Sequence, residues 1–339
     1  MEIRRDISLA DATTMKVGGF ARYFADAQSI ADVQEALLFA KQEGLPLFIL
    51  GGGSNVLAPD EGFSGLVLRM SLSGVTWEEQ EQCVLVHASA GEKWDKLVGE
   101  TTERGLWGLE NLSLIPGSVG GAIVQNIGAY GVEVCEQVVS AHVLDTGSGE
   151  VRTLSAGACM FDYRESIFKS HPELLVLGAT FVLSRKPRPR ITYKDLATVF
   201  ANTDEALLTS KQIRNAVIAI RSGKFPDLAL YGTAGSFFKN PVVSRPIAEV
   251  FLLQYPGAPS YDQADGSVKL SAAWIIDHVL HMRGSREGGV GSWDAQALVI
   301  VNYGDASSSE IKKFISEIQK RAKEVTGITL EPEVVMMHE

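Results

Sequence analysis

The chain has 339 residues, of which 45 % are apolar and 21 % charged, and a formal net charge of −10. That length supports two or three domains around a substantial core, and the composition excludes both a disordered chain and a disulfide-built scaffold. An acidic balance without any basic run argues against nucleic acid or an anionic membrane surface as a partner, while leaving open a local basic pocket for a small anion.

In chain order, Ser29 predicts the cap of a helix running to about residue 42, with Ile30, Val33, Leu37 and Leu38 on one face and Gly44 ending it. Pro46 bars its continuation, and Leu47–Leu50 follows as a strand. Strands are expected at 66–70 and 84–88, then a helix over about 92–104 that uses Trp94, Leu97 and Val98 and stops at Gly105. Segments 138–144 and 150–154 flank Asp145-Thr-Gly-Ser-Gly149, which is a hairpin signal. A strand over 174–183 precedes Lys186-Pro-Arg-Pro-Arg190, which interrupts regular structure and reads as a linker. Further helices are predicted over about 211–222, 245–254 and 270–280, with a strand at 297–302. A last helix over about 309–325 carries Ile311, Phe314, Ile315 and Ile318 at helical spacing, and a short terminal strand bears Glu331 and Glu333.

Cys83, Cys135 and Cys159 are odd in number and widely spaced, so they spell no metal or redox pair, and no metal is expected. The first residues lack the apolar core of a signal peptide, and no stretch reaches the roughly 18 apolar residues that a membrane span needs. A reducing cytoplasm is the expected compartment.

Two glycine stretches, Gly51-Gly-Gly-Ser-Asn55 and Ile115-Pro-Gly-Ser-Val-Gly-Gly121 with its continuation to Gly131, read as backbone shaped to touch a ligand. Glycine lets the main chain approach closely and take positive φ, successive N–H groups attract phosphate, and Gln125 and Asn126 add side-chain donors and acceptors. Either stretch alone is equally a tight turn in a sheet-rich core; the pair points to one large phosphate-bearing ligand held from both sides. Neither fits the dinucleotide fingerprint of a glycine-rich turn leading directly from strand to helix, so loops and nests, not a helix dipole, are expected to hold the phosphates.

The stretches 50–57, 115–122, 125–131, Tyr163-Arg-Glu-Ser-Ile-Phe-Lys169, Gly235-Ser-Phe-Phe-Lys-Asn-Pro241 and Leu330-Glu-Pro-Glu-Val334 together resemble the UDP-N-acetylenolpyruvoylglucosamine reductases. These flavoenzymes complete UDP-N-acetylmuramic acid for bacterial peptidoglycan. The first two stretches alone indicate only the wider class of flavoproteins with this FAD fold; the third-last and second-last are the specific ones. The resemblance implies an α+β chain: a two-subdomain, non-Rossmann FAD-binding fold of the PCMH or vanillyl-alcohol-oxidase type, plus a C-terminal α+β substrate-binding domain. Its divisions would be 1–65 and 66–208 for the FAD subdomains, 209–327 for substrate, and a tail over 328–339 returning to the FAD side. Tyr193 resembles the subgroup that carries a tyrosine-bearing loop over the substrate.

The implied cofactor is non-covalent FAD, held by Gly51, Gly52, Gly53, Ser54, Asn55, Pro116, Gly117, Ser118, Gly120, Gly121, Gln125 and Asn126, with NADPH as co-substrate. The implied catalytic residues are Arg164 on the substrate carboxylate, Ser236 as acid to C2, and Glu333 sharing a proton with the developing enol. Read without the resemblance, these are a surface ion pair with Glu165, a turn serine and a solvated carboxylate. Tyr163, Tyr193, Lys224, Asn240 and Gln296 are implied in binding the nucleotide sugar, with Lys224 suited to its diphosphate; the plain alternative for Lys224 is a cation at a helix end. Two positions depart from the family pattern: Val335 stands where arginine is usual, and Ser292-Trp293 where a histidine-containing pair is common. The expected partners are the nucleotide sugar and NADPH, with no nucleic acid and no membrane, and the expected state is a monomer. Another FAD oxidoreductase of this fold, such as an alcohol oxidase, and a non-catalytic nucleotide-sugar binder are the competing readings.

Overall fold

The structure, a computed structural model, describes residues 1–338. The chain forms two compact units and visits each three times. The first comprises Met1–Ile7, Ala21–Gly53 and Ser64–Ser222; the second comprises Ser8–Phe20, Ser54–Phe63 and the chain from Gly223 onward.

The first unit holds two sheets. One has four strands in the order Ile3–Ser8, Phe20–Ala27, Phe63–Met70, Leu47–Leu50. Its last two strands run parallel, with Leu47 opposite Leu66 and Leu50 opposite Arg69. The helix Ile30–Gln42 starts where expected, at a capping box in which the Ser29 hydroxyl accepts from the Asp32 amide and the Asp32 carboxylate accepts from the Ser29 amide. Its buried face differs from the one expected. Val33, Ala36 and Ala40 are buried, whereas Ile30 and Leu38 are exposed, because the small residues bring the helix backbone closest to the sheet.

The second sheet is antiparallel, in the order Val151–Ser155, Val138–Asp145, Leu174–Ser184, Cys83–Ser89, Val75–Glu79. On one face Trp94 and Leu97 of the helix Trp94–Glu103, and Ile123 of the helix Val119–Gln125, pack against Val86 and Phe181. The Trp94 and Phe181 rings meet edge to face at 6.0 Å, and the Trp94 Nε1–H donates to the Leu112 carbonyl at 2.9 Å. Leu144, Leu175 and Leu177 share a core with Leu66 and Leu68 of the four-stranded sheet. The helix Ser210–Lys224 adds Ile213 and Val217 to a cluster with Trp107, Tyr130, Ile191 and Leu196.

In the second unit a sheet ordered Gly232–Ser236, Gln296–Asn302, Val290–Trp293, Arg286–Glu287 packs with the helices Arg245–Gln254 and Ser308–Thr326. Phe237, Phe238, Ile300, Phe314, Ile315 and Ile318 fill the core between them. The helix expected over 270–280 is shorter: Val268–Leu270 is a strand, and the helical segment Ala272–Trp274 widens into a π turn at Ile275–Val279. The terminal strand begins at Val335, pairing in parallel with Val56–Leu57, so Glu331 and Glu333 precede it. Pro332, between them, has no N–H to continue a ladder. Among the described residues, no helix is long and apolar enough to cross a membrane.

Across four strands of the five-stranded sheet runs a polar row. The Thr180 hydroxyl lies 2.9 Å from His87 Nδ1 and 3.1 Å from His142 Nε2, and His142 Nδ1 is 3.1 Å from the Thr153 hydroxyl. Burial, and secondarily the neighbouring His87, depresses the His142 pKa below the ordinary histidine value. The unfolded chain therefore binds the proton first, and stability is lost as pH falls below about 6.5. His142→Asn should flatten that loss: the urea midpoint of the variant should change less between neutral pH and mildly acidic pH than that of the parent. Equal pH dependence in both would exclude this role for His142.

Candidate active site

The two glycine stretches meet within the first unit. A Cβ on Gly52 would lie 2.7 Å from the Gly117 Cα, so only hydrogen fits there, and one on Gly51 would lie 2.8 Å from the Ser118 hydroxyl, which would have to turn away. The strand Leu47–Leu50 delivers one loop. The other is tied along its length to the chain entering the helix Trp94–Glu103: Trp94 N–H donates to the Gly117 carbonyl, Val119 N–H to Glu92 and Gly120 N–H to Ala90. Gly120 is required there as well, since its Cβ would stand 2.9 Å from that of Ala90.

These bonds occupy three of the amides in the stretch 117–121, where a phosphate nest is expected. The stretch contains the start of the helix Val119–Gln125, and the amides of Val119, Gly120 and Gly121 are taken by Glu92, Ala90 and the capping Ser118 hydroxyl. At the other end of that helix, Gln125 Oε1 is buried and has no hydrogen-bond partner, an acceptor placed for an N–H from a ligand. A cavity of about 850 Å³ opens beside the paired loops, lined by Gly52, Pro116 and Gly117 together with Lys93, Lys96, Arg104 and Arg214. The close glycine pair and the orphaned Gln125 acceptor fit a large cofactor with hydrogen-bonding ring edges, as FAD is.

Asn126, also expected at the cofactor, has side-chain partners within the chain. It is wholly buried in a left-handed C-cap, and its amide serves the chain: Nδ2 donates to Glu133 Oε2 and to the Asp162 carbonyl, each at 2.9 Å, and Oδ1 accepts from Cys135 N–H at 3.2 Å. Asn126 thereby positions the tight turn Asp162-Tyr-Arg-Glu165, closed by reciprocal backbone bonds between its ends. Arg164 sits in this turn at φ +57°, a conformation that a side chain disfavours. Its guanidinium donates to the Gly128 carbonyl at 2.7 Å, and Lys169 Nζ donates to the Arg164 carbonyl at 2.5 Å. A Cβ on Gly128 would lie 2.8 Å from Arg164 Nη1, so a side chain there would displace the guanidinium. Nearby, the Tyr130 and Tyr193 rings meet edge to face at 5.4 Å, and burial pushes the Tyr130 phenol up to about 12. Tyr193 itself is exposed.

In the second unit Ser236 ends the strand Gly232–Ser236 just past a register shift, with Gly235 at φ +77°. Such a bulge re-aims the following side chain. Phe237 and Phe238, fully buried, anchor the backbone beyond it. Glu333 is brought alongside: its N–H donates to the Phe237 carbonyl at 2.8 Å, and Lys239 N–H donates to Glu331 at 2.9 Å. Asn55, expected to touch the cofactor, donates its side-chain amide to the Glu333 carbonyl at 3.0 Å, while its own carbonyl accepts from Val335 N–H. Asn240 Oδ1 accepts from Ala272 N–H at 3.0 Å. Lys224 ends the helix Ser210–Lys224, and Gln296 opens the strand Gln296–Asn302.

The departing positions also find places. Ser292 is buried and its hydroxyl donates to the Met282 carbonyl, and Trp293 packs on Tyr231 at 5.4 Å. Val335 is partly exposed. Sequence reading missed Asp95, Arg214 and Arg221, which bind one another's surroundings across more than a hundred residues of chain. It also missed Glu110, whose carboxyl burial pushes up despite the bond from Gly108 N–H.

A family model of the FAD-binding domain matches residues 21–155. Fold and site thus define an FAD-dependent oxidoreductase of the non-Rossmann, PCMH type. A second model, the C-terminal domain of UDP-N-acetylenolpyruvoylglucosamine reductase, matches residues 227–337. The chain is 42 % identical over 335 residues to the UDP-N-acetylenolpyruvoylglucosamine reductase of Pseudomonas aeruginosa, covering 98 % of both chains. It is 41 % identical over 330 residues to that of Ralstonia nicotianae, covering 96 % of both. The crystal structure of the Thermus caldophilus UDP-N-acetylenolpyruvylglucosamine reductase aligns with a TM-score of 0.67 at 25 % identity, over 99 % of this chain and 98 % of that one. The chain belongs to the UDP-N-acetylenolpyruvoylglucosamine reductase family.

Asn126→Ala should destabilise the flavin-free protein by about 1–3 kcal/mol, since partly buried backbone groups at Asp162 and Cys135 lose their partners. Equilibrium urea unfolding measures it. Unchanged stability with weakened cofactor binding would show that the amide faces the ligand instead.

Proposed function

We propose that the chain reduces UDP-N-acetylglucosamine enolpyruvate to UDP-N-acetylmuramate with NADPH as the electron donor, and that Arg164, Ser236 and Glu333 carry the chemistry of the enolpyruvyl group. Bound FAD would supply the redox step, accepting hydride from NADPH and passing it to C3 of the substrate. The residues proposed to hold it are Gly51, Gly52, Gly53, Ser54, Asn55, Pro116, Gly117, Ser118, Gly120, Gly121, Gln125 and Asn126.

Hydride addition at C3 loads negative charge onto C2 and the adjoining carboxylate, so the protein's task is to stabilise that charge and then deliver a proton. Arg164 offers a planar fork to the carboxylate, with its aim set by the Gly128 carbonyl and the left-handed turn. Ser236 donates its hydroxyl proton to C2. A serine is a weak acid, so the acceptor must be strongly basic, which an enolate-like carbon is. Glu333 faces the same developing charge and shares its proton. Lys224 would attract the diphosphate as a point charge, and Tyr163, Tyr193, Asn240 and Gln296 complete the nucleotide-sugar contacts. A monomeric, cytoplasmic enzyme with divisions near 1–65, 66–208 and 209–327 is part of this reading.

The observation that supports it most is the join between Ser236 and Glu333. The amide of Glu333 is bonded to the carbonyl of the residue after Ser236, and the Gly235 bulge turns the serine out of register. The two backbone devices bring the chain at Glu333 beside the chain at Ser236, which supports a shared catalytic role, and the identity over the whole chain favours this reaction over an alcohol oxidase.

Ser236→Ala separates the roles, because the hydroxyl is needed only after hydride has reached C3. In stopped-flow absorbance, NADPH should bleach the flavin at close to the parent rate. Reoxidation by the enolpyruvyl substrate should slow by about 10²–10⁴-fold. Equal slowing of both halves would mean that Ser236 positions ligands and donates no proton.

A further inference from the structure

Leu114 is a strained point of the first unit. Its φ of +56° lies in the left-handed region, which a side-chain-bearing residue disfavours. Burial does not hold it there, since its side chain is 37 % exposed. Two tethers on its own peptide groups do. Its N–H donates to Asp95 Oδ1 at 2.5 Å, and its carbonyl accepts from Arg221 Nε at 3.2 Å. Asp95 is in turn gripped by both arms of Arg214, at 2.6 and 3.0 Å. That guanidinium lies over Gly99, where a Cβ would come within 3.4 Å of Nη2. Arg214 and Arg221 stand about two turns apart on the helix Ser210–Lys224 and so share a face.

Downstream, Pro116 confines Ile115 to extended backbone, so the direction set at Leu114 passes on to Gly117, the residue that meets Gly52. We propose that Asp95, gripped by Arg214, is a positioning residue for the FAD site: it holds Leu114 left-handed and thereby seats Gly117 and Ser118 against Gly51 and Gly52. The inference rests on the FAD reading above. Burial by itself would raise the Asp95 carboxyl, but the bonds from Arg214 and Leu114 and the charges of Arg214 and Arg221 hold it below the ordinary value, so it is ionised at neutral pH.

FAD release on serial dilution of the holoprotein, followed by the rise in flavin fluorescence, gives the dissociation constant for each variant. Asp95→Ala should weaken FAD binding roughly ten- to a hundredfold, the range set by the strain of one untethered left-handed residue. Adding Leu114→Gly should recover most of that loss, because glycine takes this φ without a Cβ penalty. Leu114→Gly alone should bind as the parent does. If Asp95 is only a strut for Arg214, the double variant will bind as weakly as Asp95→Ala, which overturns the proposal, as does unchanged binding in Asp95→Ala. Should Asp95→Ala fail to fold, Asp95→Asn, which keeps the shape but not the charge, carries the same comparison with and without Leu114→Gly. A parent protein that binds no FAD refutes the FAD reading itself.

Discussion

The close approach of Gly51 and Gly52 to Gly117 and Ser118 is the constraint on which the rest of the first unit depends. A side chain on Gly52 would run into the backbone of Gly117, so the two loops must arrive along fixed paths. The parallel strand Leu47–Leu50 fixes one path, and the antiparallel bonds from Trp94, Val119 and Gly120 fix the other. Trp94 serves twice, since its side chain fills the core against Phe181 while its amide holds Gly117. Core packing and cofactor geometry are therefore set by the same residues.

Among the described residues, four of the eight non-glycine residues with positive φ, Leu114, Asn126, Tyr130 and Arg164, lie in or beside the loops proposed to hold cofactor and substrate. Each is held by bonds to its peptide or side chain: Asp95 and Arg221 on Leu114, Glu133 and Cys135 on Asn126, Asn111 on Tyr130, Lys169 on Arg164. The second unit reaches a similar end with an actual glycine, Gly235, whose bulge sets Ser236 apart from the ladder. Loops fixed in this way present polar groups without needing ligand to order them, which lowers the entropy that binding must overcome.

Much of this was legible in the sequence. Leu47–Leu50 and Arg245–Gln254 fall where punctuation and periodicity put them, and the Ser29 cap works as its side chain predicts. The strand Gly232–Ser236 was not, because Gly-Thr-Ala-Gly-Ser has no strand propensity; it is held by Thr233, whose hydroxyl donates to Ile300, and by its sheet neighbour. Phe20–Ala27 also escaped notice, its exposed Phe20 and consecutive buried Tyr23, Phe24 and Ala25 obscuring a two-residue alternation. At the proposed site, Asn55 and Asn126 are expected at the cofactor because an amide beside glycine offers it donors and acceptors; their bonds to the distant Glu333 and Asp162 carbonyls are visible only in the fold. The Asp95–Arg214 pair links residues whose separation hides them from any local pattern.

The central claim is that electrons pass from NADPH through bound FAD to the enolpyruvyl nucleotide sugar, and anaerobic spectroscopy of the full-length parent protein tests it most directly. The account predicts a visible flavin band that one addition of NADPH bleaches and one addition of UDP-N-acetylglucosamine enolpyruvate restores, with oxygen absent throughout. A flavin that NADPH reduces but only oxygen reoxidises would contradict the account and point to oxidase chemistry on this fold.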